Sequence, residues 1–183
     1  MVQRLSTKDL LLESFRELAQ VRDIPDITIQ DIADNCGVSK RTFYNYFTSR
    51  EDLLIQEQAT ASPQTMKVSS LKELQDHWLE ATLKYHEVEG YSENVARQMR
   101  DDSTIHKGLV ELTQQNLRDL LASRIGEGRI TPEMEFAIWF WSEAATKAQS
   151  LQGLGKNPVP LETWIAWEFN CMPSIIKEAL EGN

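Results

Sequence analysis

The sequence predicts an all-α protein with about nine helices: an N-terminal three-helix bundle containing a helix-turn-helix, then a larger C-terminal helical domain. Apolar residues recur at spacings of three and four in nearly every segment, which is the helical period. Capping residues and helix breakers separate these segments. No segment has the alternating pattern that is typical of a strand.

The composition excludes several classes of protein. With 41% hydrophobic and 26% charged residues, the chain of 183 residues can build a core, unlike a disordered chain. The chain has no run of about 18 apolar residues, the length that spans a membrane, and its N-terminus lacks the apolar region of a signal peptide. Cys36 and Cys171 lie far apart without metal-ligand spacing. We therefore expect reduced thiols in a cytoplasmic protein with no membrane partner.

The first two helices are bounded by local signals. Ser6 can cap a first helix that places Phe15 inward, and Pro25 ends that helix because the residue before a proline is pushed out of the α region. Thr28 and Asp31 have the spacing of a capping box, which begins a second helix.

Two shorter helices follow. Gly37 lies where a tight turn requires a positive φ, and Ser39 can cap a third helix that reaches about Phe47. Thr48 and Ser49 can cap a fourth helix. The sequence Ser62-Pro63-Gln64 breaks that helix and is the clearest boundary between two parts of the chain.

Longer amphipathic segments make up the rest of the chain. We expect the start of one at Thr131-Pro132-Glu133, since a cap, a proline and an acidic residue all favour the first helical turn. Pro173 is expected to kink the last segment. The predicted segments are 69–89, 91–101, 103–126, 131–152 and 160–181.

Residues 28–50 have the layout of a helix-turn-helix, in which the second helix lies in the DNA major groove. The net charge of −9 argues against non-specific coating of nucleic acid, but residues 36–50 hold three cations and no acidic residue. Ile32, Phe43 and Phe47 can pack inward as core residues. The other face of the second helix carries Lys40 and Arg41, and cations there can pair with base edges.

Residues 32–47 read Ile-Ala-Asp-Asn-Cys-Gly-Val-Ser-Lys-Arg-Thr-Phe-Tyr-Asn-Tyr-Phe, and Ser-Arg-Glu-Asp-Leu follows at 49–53. This pattern resembles the DNA-binding signature of the TetR family, over about residues 7–56. The resemblance implies a dimeric one-component transcriptional regulator. Two positions depart from the family pattern: Cys36 replaces the usual alanine, and Arg50 replaces the usual lysine.

The resemblance also implies a set of DNA-binding residues. The positions that commonly face bases are Gln30, Lys40, Arg41 and Tyr44. The positions that commonly contact phosphate are Thr28, Thr42, Asn45, Tyr46 and Arg50, and Ser39 at the start of the second helix completes the set. For Tyr46, packing in the core is an equal alternative.

The C-terminal region holds all five tryptophans, at positions 78, 139, 141, 164 and 167. Aromatic residues at helical spacing indicate either a core or interface, or a pocket between helices. The TetR resemblance implies that segments 131–152 and 160–181 form a dimer interface. Similarity of 41–47, 99–102 and 109–124 to a subgroup with acyl-CoA-like ligand domains implies an apolar or acyl ligand. The pocket residues we expect are Trp78, Met99, Leu117, Phe140 and Trp141.

We therefore expect a DNA-binding domain at 1–48 and a ligand-binding and dimerisation domain at 49–183. The predicted function is that of a sequence-specific repressor, a homodimer released from a palindromic operator in double-stranded DNA by a small apolar or acyl-type effector. Two alternatives stay open: a helical protein-interaction module, and a helical enzyme. No nucleophile–base pair, metal motif or phosphate-binding loop supports an enzyme, and no cofactor, metal or catalytic residue is assigned.

Overall fold

The computed structural model describes residues 5–60, 68, 70–86, 90–154 and 159–182. In these ranges the protein is all-helical, which confirms the predicted fold class, and it contains short 3-10 turns at Ile24–Asp26 and Glu127–Arg129. None of the described helices is long and apolar enough to cross a membrane. The ten helices are α1 (Thr7–Val21), α2 (Ile29–Asn35), α3 (Lys40–Tyr44), α4 (Arg50–Thr60), α5 (Leu71–His86), α6 (Tyr91–Asp101), α7 (Ser103–Ile125), α8 (Pro132–Gln152), α9 (Leu161–Asn170) and α10 (Ser174–Glu181).

The predicted helix caps are confirmed. The Ser6 side chain accepts a hydrogen bond from the Asp9 N–H, and the Asp9 carboxylate accepts one from the Ser6 N–H, so both orphan donors at the start of α1 are satisfied. Thr28 and Asp31 form the same capping box on α2. The Thr131 side chain caps α8. These helix starts are determined by residues within one turn of each other.

Two boundaries differ from the prediction. Residues 160–181 form two helices rather than one kinked helix, because Pro173 has no N–H to donate and disfavours the α region at Met172. This division accounts for ten helices where about nine were expected. Helix α3 ends at Tyr44, and the chain continues to Phe47 in a turn.

The helices enclose two hydrophobic cores. The first unites α1–α4 with α6 and α7, and Ile32, Phe43 and Phe47 are buried in it as predicted. The second joins α5 and α7 to α8, α9 and α10, around Trp141 and Phe169. Because α7 contributes to both cores, the N-terminal domain packs directly on the C-terminal part of the chain through α1 and α4.

Helix α6 is joined to the end of α1 by polar contacts. The Asn94 Nδ2 donates to the carbonyl oxygens of Ala19 and Arg22, at 3.0 and 2.7 Å. Gly90, just before α6, has φ = 77°, and a Cβ added there would lie 2.9 Å from the carbonyl oxygen of Gln20. This approach of two backbones requires glycine.

We expect Gly90→Ala to destabilise the protein more than Gly37→Ala. Both glycines have positive φ, which costs about 1–2 kcal/mol for alanine, but a Cβ at Gly37 meets nothing within 4 Å. The overlap with Gln20 should add at least about 1 kcal/mol at Gly90. Urea unfolding of both variants measures the difference. Equal losses would show that α6 does not depend on this close approach.

Candidate nucleic-acid interface

The second helix of the helix-turn-helix is oriented by its buried aromatic residues. Gly37 makes the turn after α2 with φ = 72°, and the Val38 N–H donates to the Ala33 carbonyl oxygen at 2.9 Å. The Ser39 side chain caps α3. Since Phe43 is fully buried in the first core, the polar side of α3 faces away from the protein.

The residues on this polar side are exposed together. Tyr44 and Tyr46 are 52% and 42% exposed. Tyr46 is therefore not packed in the core, which was the alternative to phosphate contact. Among the residues that the structure describes, no ion pair involves either cation of this surface. We call these five exposed residues the recognition surface: Lys40, Arg41, Tyr44, Asn45 and Tyr46.

The predicted hydroxyl and amide contacts lie beside this surface and already have partners. The Thr28 Oγ1 donates to Asp31 Oδ2 at 2.7 Å, and hydrogen bonds from Thr28 lower the pKa of Asp31 to about 2. The hydroxyls of Ser39 and Thr42 lie 2.8 Å apart. The exposed Gln30 donates its amide to the Asp34 carboxylate at 2.7 Å. Thr28, Ser39 and Thr42 thus stabilise the helix starts that present the recognition surface.

Arg50 is placed differently from the other predicted DNA contacts. Its Nη1 donates to the carbonyl oxygens of Ile24 and Pro25 at 2.9 and 2.8 Å, and its Nη2 donates to Glu51 Oε1 at 2.7 Å. The guanidinium therefore holds the start of α4 against the turn between α1 and α2. Phosphate binding by Arg50 stays a prediction.

Comparison with known proteins identifies this domain. Residues 11–56 match the family model described as bacterial regulatory proteins, tetR family. Residues 11–56 are thus similar to the N-terminal domain of the TetR family. Its helix-turn-helix is the DNA-binding element of these transcriptional regulators.

Two curated relatives match the TetR-family domain alone. The transcriptional regulator AlkX of Mycobacterium tuberculosis is 40% identical over 50 residues, which is 27% of this chain and 24% of that protein. The dhaKLM operon activator DhaS of Lactococcus lactis is 32% identical over 54 residues, 30% of this chain and 29% of that protein. The chain thus spans less than a third of the length of these relatives.

The fold likeness extends over the whole chain. A TetR transcriptional regulator from Rhodococcus sp. RHA1 superposes with a TM-score of 0.65 at 16% identity, covering 91% of this chain and 97% of that one. The helical body behind the TetR-family domain therefore has the same fold as the body of that regulator.

A cavity of about 150 Å³ lies in this body, between α4, α5, α6, α7, α8 and α9. Of the five predicted pocket residues, Trp78 and Met99 line it. Leu117 is buried in the second core, and Phe140 and Trp141 line a separate groove. The predicted pocket residues are thus divided among three places.

The groove is an open depression of about 280 Å³ between α8 and α9, with small residues of α8 at its base. Large apolar side chains on these two helices are exposed beside it, an arrangement that marks an interaction surface. They are Phe136, Trp139, Phe140, Leu151 and Trp167, which we call the aromatic face.

The sequence reasoning missed a polar cluster formed by Glu57, Arg16 and Tyr91. Glu57 of α4 is fully buried: its Oε1 accepts from Arg16 Nε at 2.6 Å, and its Oε2 accepts from the Tyr91 hydroxyl at 2.7 Å. Its spacing of four from Leu53 places it on the inward side of α4, a signal that could have identified it. In the ranges described, no cluster of His, Cys, Asp and Glu could hold a metal ion.

Glu168 lies in the groove with an incomplete set of partners. Its Oε1 accepts from Trp164 Nε1 at 2.9 Å, whereas its buried Oε2 has no hydrogen-bond partner. Burial raises the pKa of Glu168 from its ordinary value of 4.5 to about 7, against the opposing effect of hydrogen bonds from Trp164 and Gln149. The carboxyl group is therefore partly protonated near neutral pH.

Because the folded state raises the pKa of Glu168, protonation of this carboxyl group contributes to the free energy of unfolding. The contribution is fully present below about pH 4.5 and is lost as the pH rises through 7. The loss should be about 3 kcal/mol. We expect Glu168→Gln to abolish this part of the pH dependence. Urea unfolding at pH 5 and pH 8 checks this, and parallel curves for the two proteins would contradict it.

Proposed function

We propose that the protein is a sequence-specific transcriptional regulator that binds DNA through the recognition surface. The exposure of Lys40 and Arg41 on α3, without an ion-pair partner in the described chain, is the observation that carries this proposal. Arginine and lysine pair with guanine in the major groove, and tyrosine and asparagine beside them can contact bases or phosphate. Gln30 and the hydroxyls of Thr28, Ser39 and Thr42 are proposed to flank these contacts.

We propose that the chain acts as a homodimer joined through the aromatic face. A single short recognition helix reads only a few base pairs, whereas two helices related by a two-fold axis read a palindrome. The exposed apolar side chains of α8 and α9 would be buried against the same residues of a second copy.

The cavity is the proposed effector site, and α4 and α6 are the proposed connection to the DNA-binding domain. Gln58 of α4 lines the cavity and donates to Glu57 Oε2 at 2.8 Å, and Glu57 pairs with Arg16 of α1. An effector that favours another placement of Gln58 would bias the position of α1. The coupling energy needed is typically about 1–3 kcal/mol.

The direction of regulation is a further part of the proposal. We propose that the protein represses transcription and that the effector releases it from DNA. We also propose that it is cytoplasmic and has no catalytic activity. The proposed domain limits are 1–48 and 49–183. The relative from Lactococcus lactis is by name an operon activator, so activation is the alternative outcome. Transcription from a reporter carrying the selected operator distinguishes the two directions.

The DNA-binding proposal is tested by selecting bound duplexes from a random pool with the purified protein. We expect a palindrome, and we expect Arg41→Ala and Tyr44→Ala each to weaken binding to it. Loss of a bidentate base contact at Arg41 should cost about 1–3 kcal/mol. Lys107→Ala removes an exposed cation on α7 and should leave the affinity unchanged.

Two results would contradict this proposal. One is the absence of any enriched sequence at low and moderate salt. The other is an equal loss of affinity in the Lys107 variant, which would mean that only net charge matters.

The ion pair between Glu57 and Arg16 is tested by replacing Arg16. Arg16→Gln removes a guanidinium that pairs with a fully buried carboxylate, so we expect a loss of about 2–3 kcal/mol in the free energy of unfolding. Arg100→Gln breaks an exposed pair with Asp101 and should cost less than about 1 kcal/mol. Urea unfolding measures both variants. Similar losses would show that the Glu57 pair is no more than a surface contact.

A further inference from the structure

We infer that the cavity binds a small uncharged molecule, about the size of one six-membered ring, that carries a hydroxyl group. This inference rests on the proposed function in so far as the molecule is the effector. The sequence predicts an apolar or acyl effector, and the ligand inferred here is smaller and carries a hydroxyl group. Three properties of the cavity carry this inference: its volume, the charge of its walls and the hydrogen-bonding state of its polar groups.

The volume limits the size of the ligand. A protein cavity of about 150 Å³ accommodates benzene, and the present cavity has about this volume. A long acyl chain exceeds this volume, so part of it would have to extend through the open side of the cavity into solvent. The walls of the cavity are formed by the six helices α4 to α9, with Trp78 on α5, Met99 on α6, Leu109 on α7 and Trp164 on α9 among the apolar residues.

The walls carry little charge. Among the described residues that line the cavity there is no Asp, Glu, Lys or Arg, and His86 at its exposed rim is the one titratable side chain. A carboxylate, phosphate or ammonium group would lose its hydration here without gaining a counter-charge. Glu168 does not supply one, because its carboxyl group lies in the groove beyond Trp164.

The polar groups of the walls offer acceptors. The Thr82 hydroxyl donates to the Trp78 carbonyl oxygen at 2.8 Å, and the Thr113 hydroxyl donates to the Leu109 carbonyl oxygen at 2.9 Å. A threonine hydroxyl has one proton and two lone pairs, so both oxygens can still accept a hydrogen bond. The side-chain N–H groups of Gln58 and Trp164 likewise donate to protein carboxylates. On the same wall, the buried Nε1–H of Trp78 has no hydrogen-bond partner. A hydroxyl group matches these walls, because it can donate to a threonine oxygen and accept from an N–H group.

Four probes separate these properties: benzyl alcohol, toluene, benzoate and decanoate. They are titrated into the full-length protein without DNA, and binding is followed by tryptophan fluorescence, since Trp78 and Trp164 line the cavity. We expect benzyl alcohol to bind at least about tenfold more tightly than benzoate or decanoate.

Thr113→Val and Thr82→Val keep the side-chain shape and remove the acceptor. Each should weaken benzyl alcohol binding by about three- to tenfold and leave toluene binding unchanged or stronger. Thr104→Val, on the exposed start of α7, is the matched control and should change neither. Two cavity variants keep the test usable if one of them folds poorly.

The inference is overturned if no probe binds, if benzoate or decanoate binds most tightly, or if the cavity variants change benzyl alcohol and toluene binding equally. These outcomes do not depend on DNA. If the ligand pattern is found while operator affinity stays the same with and without benzyl alcohol, the ligand class stands and the proposed coupling fails. A failed operator selection tests the DNA-binding proposal alone.

Discussion

The arrangement of the whole molecule depends on satisfying one buried carboxylate. Glu57 has no exposure to solvent, and its partners come from α1 and α6 as well as from α4 itself. Removing one partner of such a group typically costs several kcal/mol, so the three helices are held in one relative position. That position places the DNA-binding domain over the body and sets the wall that Gln58 contributes to the cavity.

The recognition surface is basic on an acidic molecule. The chain carries a net charge of −9, yet the exposed part of α3 presents two cations and no carboxylate. The body therefore repels DNA and the recognition surface attracts it, which favours one orientation of approach. Asp31 is committed to the cap of α2, where its charge is compensated by hydrogen bonds from Thr28.

Helices α8 and α9 serve two surfaces at once. Trp164 lines both the cavity and the groove, and its indole N–H donates to Glu168 between them. The aromatic face on the outer side of the same helices is exposed. The proposed effector site and the proposed dimer interface thus share two helices, and packed side chains can transmit strain between them.

The sequence by itself determined the fold class, the helix-turn-helix and the helix caps, because these depend on residues within a few positions of one another, such as Ser6 with Asp9. Only the tertiary structure decided which distant helices meet. It brought the Arg50 guanidinium onto carbonyl oxygens 25 and 26 positions away, and it separated Leu117 from the cavity. Periodicity shows which side of a helix is buried, but the neighbour on that side follows from the packing of the complete chain.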